Sequence, residues 1–140
     1  MAGFEAAQAT LEIFAQANLP AVLPVGFLID WENAGTFREP NPPVLWGRWS
    51  IRELTTGQID LVRTAWVETQ GQVQFQIFAP KGSGTRAMRA VADDFAGVFD
   101  GQKIGNVQCR RASLSVQPDQ PGGWLQGNVS LRFYFRVQAT

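Results

Sequence analysis

The sequence predicts an α+β domain in which a mostly antiparallel, mixed sheet of about five strands has two helices packed on one face. Two segments repeat apolar residues at helical spacing, and several others alternate apolar and polar residues with the period of a strand. Helices and strands come in segregated groups along the chain. The 140 residues, 45% of them hydrophobic, fit a single domain over residues 1–140.

Composition excludes several classes of site. Without histidine, the chain has no histidine-based triad, metal site or pH switch. A formal net charge of 0 lacks the electrostatic footprint of a nucleic-acid binder, so we expect no nucleic-acid sequence recognition. The single cysteine cannot form an internal disulfide and favours a reducing compartment. The most apolar stretch, residues 19–29, contains two prolines and a glycine, so we expect no membrane span.

The first predicted element is a helix over residues 4–17, which Asn18 and Pro20 are expected to end. Its apolar face comprises Phe4, Ala7, Leu11, Phe14 and Ala15. A short strand is predicted within residues 25–31. Residues 32–43 follow as a loop rich in proline.

Three segments alternate clearly enough to predict strands, namely residues 44–54, 71–78 and 124–137, and residues 107–116 form a weaker one. Between them, the apolar spacing from Met88 to Phe99 predicts an amphipathic helix that Ser83 or Thr85 can cap and Gly101 can end. The predicted core comprises Phe75, Ile77, Val91, Phe95, Phe99, Val129, Leu131 and Phe133.

A glycine-rich loop over residues 81–85 follows one strand and precedes the second helix, as phosphate-binding loops do. Lys81 opens this loop, however, whereas a P-loop has its lysine near the end, so we interpret the segment as a turn with a helix cap. Cys109 lies in a predicted strand with no histidine to activate it, which favours a buried structural thiol. We therefore expect no cofactor.

Carboxylates do not form a convincing metal or acid–base site. Asp93 and Asp94 are adjacent on a predicted helix and point about 100° apart, so with Asp100 they do not converge on one ion. Asp30 and Glu32 share one side of a strand end without a further acidic or basic motif nearby, which disfavours a glycosidase-like pair. We expect no metal site and no catalytic residues.

The polar face of the predicted sheet is rich in glutamine, with aromatic and arginine residues beside it. These residue types are enriched at protein interfaces. The members are Gln72, Gln74, Gln76, Trp46, Trp66, Arg48, Arg52 and Tyr134. Two interpretations remain open: this face is an interface, or helices cover it and these residues form its rim.

Three blocks, taken in order, resemble one protein family. The blocks are residues 30–33 with Phe37, Pro40 and 46–48; residues 71–85 continuing into 92–93 and 99–101; and residues 123–130. The family is the tail terminator-like proteins of long-tailed phages and prophages, tail-completion proteins similar in fold to the lambda minor tail protein U. The resemblance covers about residues 11–137. Gly127 stands where that pattern has a larger apolar residue.

The resemblance implies a structural, non-enzymatic protein. Its members form rings, expected here to be hexamers, that cap the tail tube, stop its polymerisation and present the head-docking surface. The implied partners are further copies of the chain, the tail tube protein and a head-completion or connector protein. The implied location is the host cytoplasm during assembly and then the virion tail. Alternatives are another neck or tail-completion protein involved in head–tail joining, and a small hydrolase or ligand-binding domain.

Residues 55–70 separate two predicted strands and are too long for an ordinary hairpin loop. We predict a long β-hairpin arm that is mobile in the free subunit and orders on a neighbouring subunit or on the tube. The alternative is that this segment folds back and completes the subunit's own core. The predicted interface residues are Arg52, Ile59, Leu61, Arg63 and Trp66.

Overall fold

Six strands form one mixed sheet, and two helices lie on one of its faces, in a computed structural model that describes residues 4–24, 27–32, 37, 44–58, 66–80, 85–117 and 124–138. The elements in chain order are α1 (Phe4–Val22), β1 (Leu28–Asp30), β2 (Trp46–Gln58), β3 (Trp66–Pro80), α2 (Arg86–Phe99), β4 (Lys103–Ile104), β5 (Val107–Val116) and β6 (Trp124–Gln138). The sheet order is β1-β2-β3-β6-β5-β4, with β1 parallel to β2 and every other pair antiparallel. The predicted α+β class is confirmed, with six strands instead of about five.

The additional strand is β4, which is only two residues long and pairs with the start of β5. Gly105 and Asn106 join the two strands, and Gly105 has a φ of 61°, which glycine adopts without strain. A strand of two residues has no detectable period. The glycine–asparagine pair between Ile104 and Val107 is the sequence signal that could have revealed this hairpin.

Helix α1 continues past its predicted end at residue 17, so the expectation that Asn18 and Pro20 stop it was wrong. Pro20 lies in the last turn, where its ring removes only the N–H of one helical hydrogen bond. The helix still closes beyond it, because the Leu23 N–H donates to the Leu19 carbonyl over 3.0 Å. Burial of Leu19 and Leu23 against the sheet offsets the missing bond.

Helix α2 follows the predicted face. It begins after Thr85, which occupies the N-cap position without a side-chain capping bond, while Ser83 lies outside the described residues. At the other end the Asp100 N–H donates to the Ala96 carbonyl over 2.8 Å. Gly101 then takes a φ of 69°, the left-handed conformation expected just after a helix.

The helices and the inner face of the sheet enclose one buried aromatic core. Phe95 stacks on Phe75 with ring centroids 4.7 Å apart, and Phe99 lies 4.8 Å from Phe95. All eight residues that the sequence places in the core are buried in this cluster. Helix α1 completes it, since Phe14 contacts Phe99 edge-on and Phe4 stacks on Phe133.

Strand β5 contains a bulge, which explains its weak sequence pattern. The pairing with β6 shifts between Cys109 and Ala112, so that Arg110 and Arg111 interrupt the alternation. The Asp100 carboxylate accepts a hydrogen bond of 2.6 Å from the Ala112 N–H at this point. Asp100 thus stabilises the bulge from the end of α2.

Candidate assembly surface

The face of the sheet opposite the helices, here called the outer face, is polar along its middle. Register places four rows of side chains there across β2, β3, β6 and β5. Most are uncharged hydrogen-bonding groups, including Ser50, Gln72, Gln74, Gln76, Gln126, Asn128 and Ser130. Both described helices lie on the inner face, and no helix in the described part of the chain covers the outer face.

One end of the outer face carries an aromatic cluster of Phe37, Trp46, Phe78 and Trp124. Trp46 stacks on Phe78 at 4.3 Å and on Phe37 at 4.8 Å, and Trp124 meets it edge-on at 6.0 Å. Trp46 lies on the predicted outer face, opposite Phe78, but it is only 1% exposed because neighbouring rings cover it. Strand pairing brings these rings together, because Trp46 lies opposite Phe78 and Trp124 opposite the nearby Pro80.

The acidic pair considered for glycosidase chemistry has structural partners. Asp30 forms a salt bridge of 3.0 Å with Arg48. The Glu32 carboxylate accepts a hydrogen bond of 3.1 Å from the Ile51 N–H, beyond the point where β1 ends. Burial, and secondly the nearby Glu32 charge, raise the pKa of Glu12. Asp30 and Glu32 thereby secure the β1 edge of the sheet.

The other end of the outer face contains a cleft of about 260 Å³ lined by Lys103, Asn106, Gln108, Tyr134 and Arg136. We call it the basic cleft. The Arg136 guanidinium lies 5.6 Å from the centre of the Tyr134 ring, within the range of a cation–π contact. The Gln108 amide donates to the Gly101 and Gln102 carbonyls over 3.2 and 3.4 Å. These bonds secure the β4 turn beside the cleft.

Arg110 reaches the same tyrosine from β5, with its guanidinium 5.0 Å from the centre of the Tyr134 ring. One carboxylate lies nearby, that of Glu68, which is 3.2 Å from Arg136. A hydrogen bond from Gln70, and secondly the contact with Arg136, lower the pKa of Glu68 against the opposing effect of burial. Glu68 is therefore ionised at neutral pH, and the cleft keeps an excess of positive charge.

Two of the predicted interface residues are described, and they lie on this outer face. Arg52 is exposed opposite Gln72. Trp66 is 46% exposed opposite Gln138. Six residues of strand separate Trp66 from Gln72, a distance of ~20 Å at ~3.3 Å per residue, so the two side chains do not form one contact site. The remaining members, Ile59, Leu61 and Arg63, lie outside the described residues.

The hairpin prediction is partly visible in the strands that bound it. Thr55–Gln58 pairs with residues 67–70, so both ends of the predicted arm continue β2 and β3. Strand β6 also runs beside this part of β3 as far as Gln138. Thr69 is 6% exposed, which shows that part of the segment joins the subunit's own sheet.

The other sequence candidates show no convergent chemistry. Residues 81–84 of the glycine-rich loop lie outside the described part of the chain, whereas Asp93 and Asp94 are exposed on α2. Within the described residues, no three acidic or cysteine side chains are grouped so as to hold a metal ion. Cys109 is buried, and burial, with a smaller effect from Asp100, raises its pKa to about 12. No helix in the described ranges is long and apolar enough to cross a membrane.

Sequence reasoning placed Tyr134 on the polar face but missed the basic cleft around it. Lys103 belongs to the undetected β4, and Arg110 lies where the bulge breaks the strand period. The alternation of Arg132, Tyr134 and Arg136 was the available signal. It could not indicate a cleft, because the neighbouring strands and their register were unknown.

Comparison with known proteins supports the fold. No family model matches the chain, and no curated protein has significant similarity to it. A solved structure whose name states no function is similar over 100% of both chains, with a TM-score of 0.70 and 18% sequence identity. At that identity the likeness is one of fold alone.

Proposed function

We propose that this chain is the subunit of a ring-forming tail terminator of a long-tailed phage or prophage. In this role it caps the finished tail tube, stops its polymerisation and presents the surface that docks to the head. Its partners are further copies of itself, expected as a hexamer, the tail tube protein and a head-completion or connector protein. It acts structurally, in the host cytoplasm during assembly and then in the virion tail.

The observation that best supports this proposal is the open outer face with its long strands. Strands β3 and β6 are 15 residues each, well above the usual length, and the end of β6 runs beside the part of β3 that begins at Trp66. An exposed tryptophan, arginines and an amide-rich sheet surface are suited to binding other proteins. The three sequence blocks that resemble tail terminators suggest which proteins bind this surface, namely further subunits, the tail tube protein and a head-completion or connector protein.

Electron microscopy of the purified protein tests the proposal. We expect rings of identical subunits, either in isolation or on the ends of tail tubes. Adding the protein to a polymerising tube protein encoded beside it should shorten the tubes and leave a cap at one end. Tubes of unchanged length without caps would contradict the tail-terminator function, and capping at the head side of preassembled tails only would favour another neck protein.

A further inference from the structure

Charge is segregated between the two faces of this neutral chain. Among the described residues that strand register or a ring contact assigns to the outer face, six cationic side chains outnumber two carboxylates: Arg48, Arg52, Lys103, Arg110, Arg132 and Arg136 against Asp30 and Glu68. In the helix layer, five carboxylates outnumber two arginines: Glu5, Glu12, Asp93, Asp94 and Asp100 against Arg86 and Arg89. The described residues of the two faces therefore have opposite net formal charge.

The strongest positive feature is the basic cleft. Lys103 and Arg110 form no ion pair with any described residue, and Arg136 shares the single carboxylate of Glu68. Two guanidinium groups flank the ring of Tyr134, which is half-buried. Tyrosine and arginine are the residue types that dominate binding energy at interfaces, and here they line a cavity open to solvent.

The strongest negative feature is on α2. Asp93 and Asp94 are exposed, and neither forms an ion pair within the described part of the chain. Asp93 also borders a small groove of about 60 Å³ between α2 and β5. Ala96 and Leu114 contribute apolar surface to that groove, so an incoming side chain would find both a carboxylate and a nonpolar floor.

We infer that the basic cleft of one subunit binds the Asp93–Asp94 side of α2 on a second copy of this chain. The inference rests on the proposed ring-forming function and names the contact that forms the ring. The basic cleft and the acidic pair lie on opposite faces of the sheet. The contact therefore joins the outer face of one copy (its front) to the helix layer of the next copy (its back). A heterologous contact of this kind closes into a ring when its rotation closes. Charge complementarity within one neutral sequence favours a second copy over nucleic acid.

Charge reversal tests this contact by sedimentation velocity at low ionic strength. We expect Lys103→Glu with Arg110→Glu, and separately Asp93→Lys with Asp94→Lys, to weaken self-association by about tenfold or more, because each places like charges opposite each other. An equimolar mixture of the two variants should associate again, since every front then meets a back of opposite charge. Added salt should weaken the wild-type complex.

The matched control is Arg86→Glu with Arg89→Glu, which makes the same change of net charge within the already negative helix layer. Because it adds negative charge to the same helix as Asp93 and Asp94, it should associate at least as tightly as the wild type, whereas a general effect of net charge would weaken association as Lys103→Glu with Arg110→Glu does. Thermal melts and circular dichroism of each variant establish that a change in association reflects the surface and not unfolding.

Several outcomes would overturn the inference. These are a wild-type chain that stays monomeric at low salt, reversed variants that associate normally, and a mixture that does not recover. Binding of duplex DNA that Lys103→Glu with Arg110→Glu abolishes, without any self-association, would assign the cleft to nucleic acid. A monomeric protein that still caps tubes would overturn this contact alone, whereas front-to-back association without capping would overturn the proposed function.

Discussion

Phe95 lies where α2 packs on the sheet, and the stability of the domain depends on it. It is fully buried and packs against Phe75, Phe99 and Trp49. Phe95→Ala should lower the free energy of unfolding by ~3–5 kcal/mol, because a large cavity replaces the ring. Urea denaturation measures this, with Val98→Ala on the same helix as a half-buried control of smaller effect. An unchanged midpoint would show that α2 does not pack through this face.

Gly127, which differs from the pattern of the family that the sequence resembles, lies at a tightly packed position. A Cβ at this position would collide with the side chain of Met88 and approach Leu114 to 3.2 Å. Met88 occupies the space that a larger residue at position 127 would fill. The departure is therefore compensated within the core and does not alter the strand.

Because Met88 fills the space beside Gly127, the effects of substitutions at these two positions on stability should be coupled. Gly127→Ala should destabilise the protein by ~1–3 kcal/mol through overpacking. In a Met88→Ala background the same substitution should cost less, because the obstructing side chain is gone. A double-mutant cycle measured by urea unfolding gives the coupling energy, and strictly additive effects would contradict this packing.

Cys109 makes the free energy of unfolding depend on pH in the alkaline range. Its folded pKa of about 12 exceeds the ordinary value of 9.0, because burial disfavours the thiolate. The neutral thiol's contribution is complete below pH 9 and is lost as the pH rises towards 12, since only the unfolded chain ionises in that window. The stability of the wild type relative to Cys109→Ala should therefore be constant below about pH 9 and fall as the pH rises from about 9 towards about 12 in urea titrations. A constant difference would mean that the thiol is accessible.

At the scale of elements, periodicity predicted the long helix and strands but not their irregular parts. Alternation placed Phe75 and Phe133 correctly, because one apolar face suffices to fix a register. The continuation of α1 past Pro20 was missed, since tertiary burial outweighed a local stop signal. The candidate surface was only partly predictable. Arg52 and Trp66 were assigned to an interface from residue type, whereas the basic cleft depends on strand order and register.

The hairpin should show a gradient of protection that follows its position in the sheet. Residues 67–70 of β3 are paired on both sides, by β2 and by β6, whereas Thr55–Gln58 of β2 pairs with β3 on one side among the described residues. Hydrogen exchange of the free subunit should therefore be slower over residues 67–70 than over 55–58. Assembly should slow exchange over 55–58 if the arm orders on a neighbour. Equal, strong protection in an isolated monomer would contradict a mobile arm.

At the scale of the whole molecule, the distribution of charge between the two faces says more about possible binding partners than the net charge does. A net charge of 0 predicts no nucleic-acid footprint, yet the described charged residues of the two faces are of opposite net sign. Composition cannot reveal this, because it contains no information about which residues share a face. The fold separates Lys103 and Arg136 from the carboxylates of α2 by placing the sheet between them.

Trp66 provides the last test of the assembled state. It is among the most exposed large apolar residues described, at 46%, and it opens the strand that leads out of the hairpin. Trp66→Ala should lower the melting temperature only modestly, because nearly half of the side chain is already exposed in the free subunit. It should reduce the formation of subunit rings about tenfold or more, as expected for a tryptophan anchor. Val44→Ala, which removes an equally exposed apolar side chain (46%) before β2, is the matched control and should assemble normally. Ring counts from electron microscopy with parallel thermal melts decide the matter, and Trp66→Ala rings that form as readily as the wild type would remove this residue from the interface.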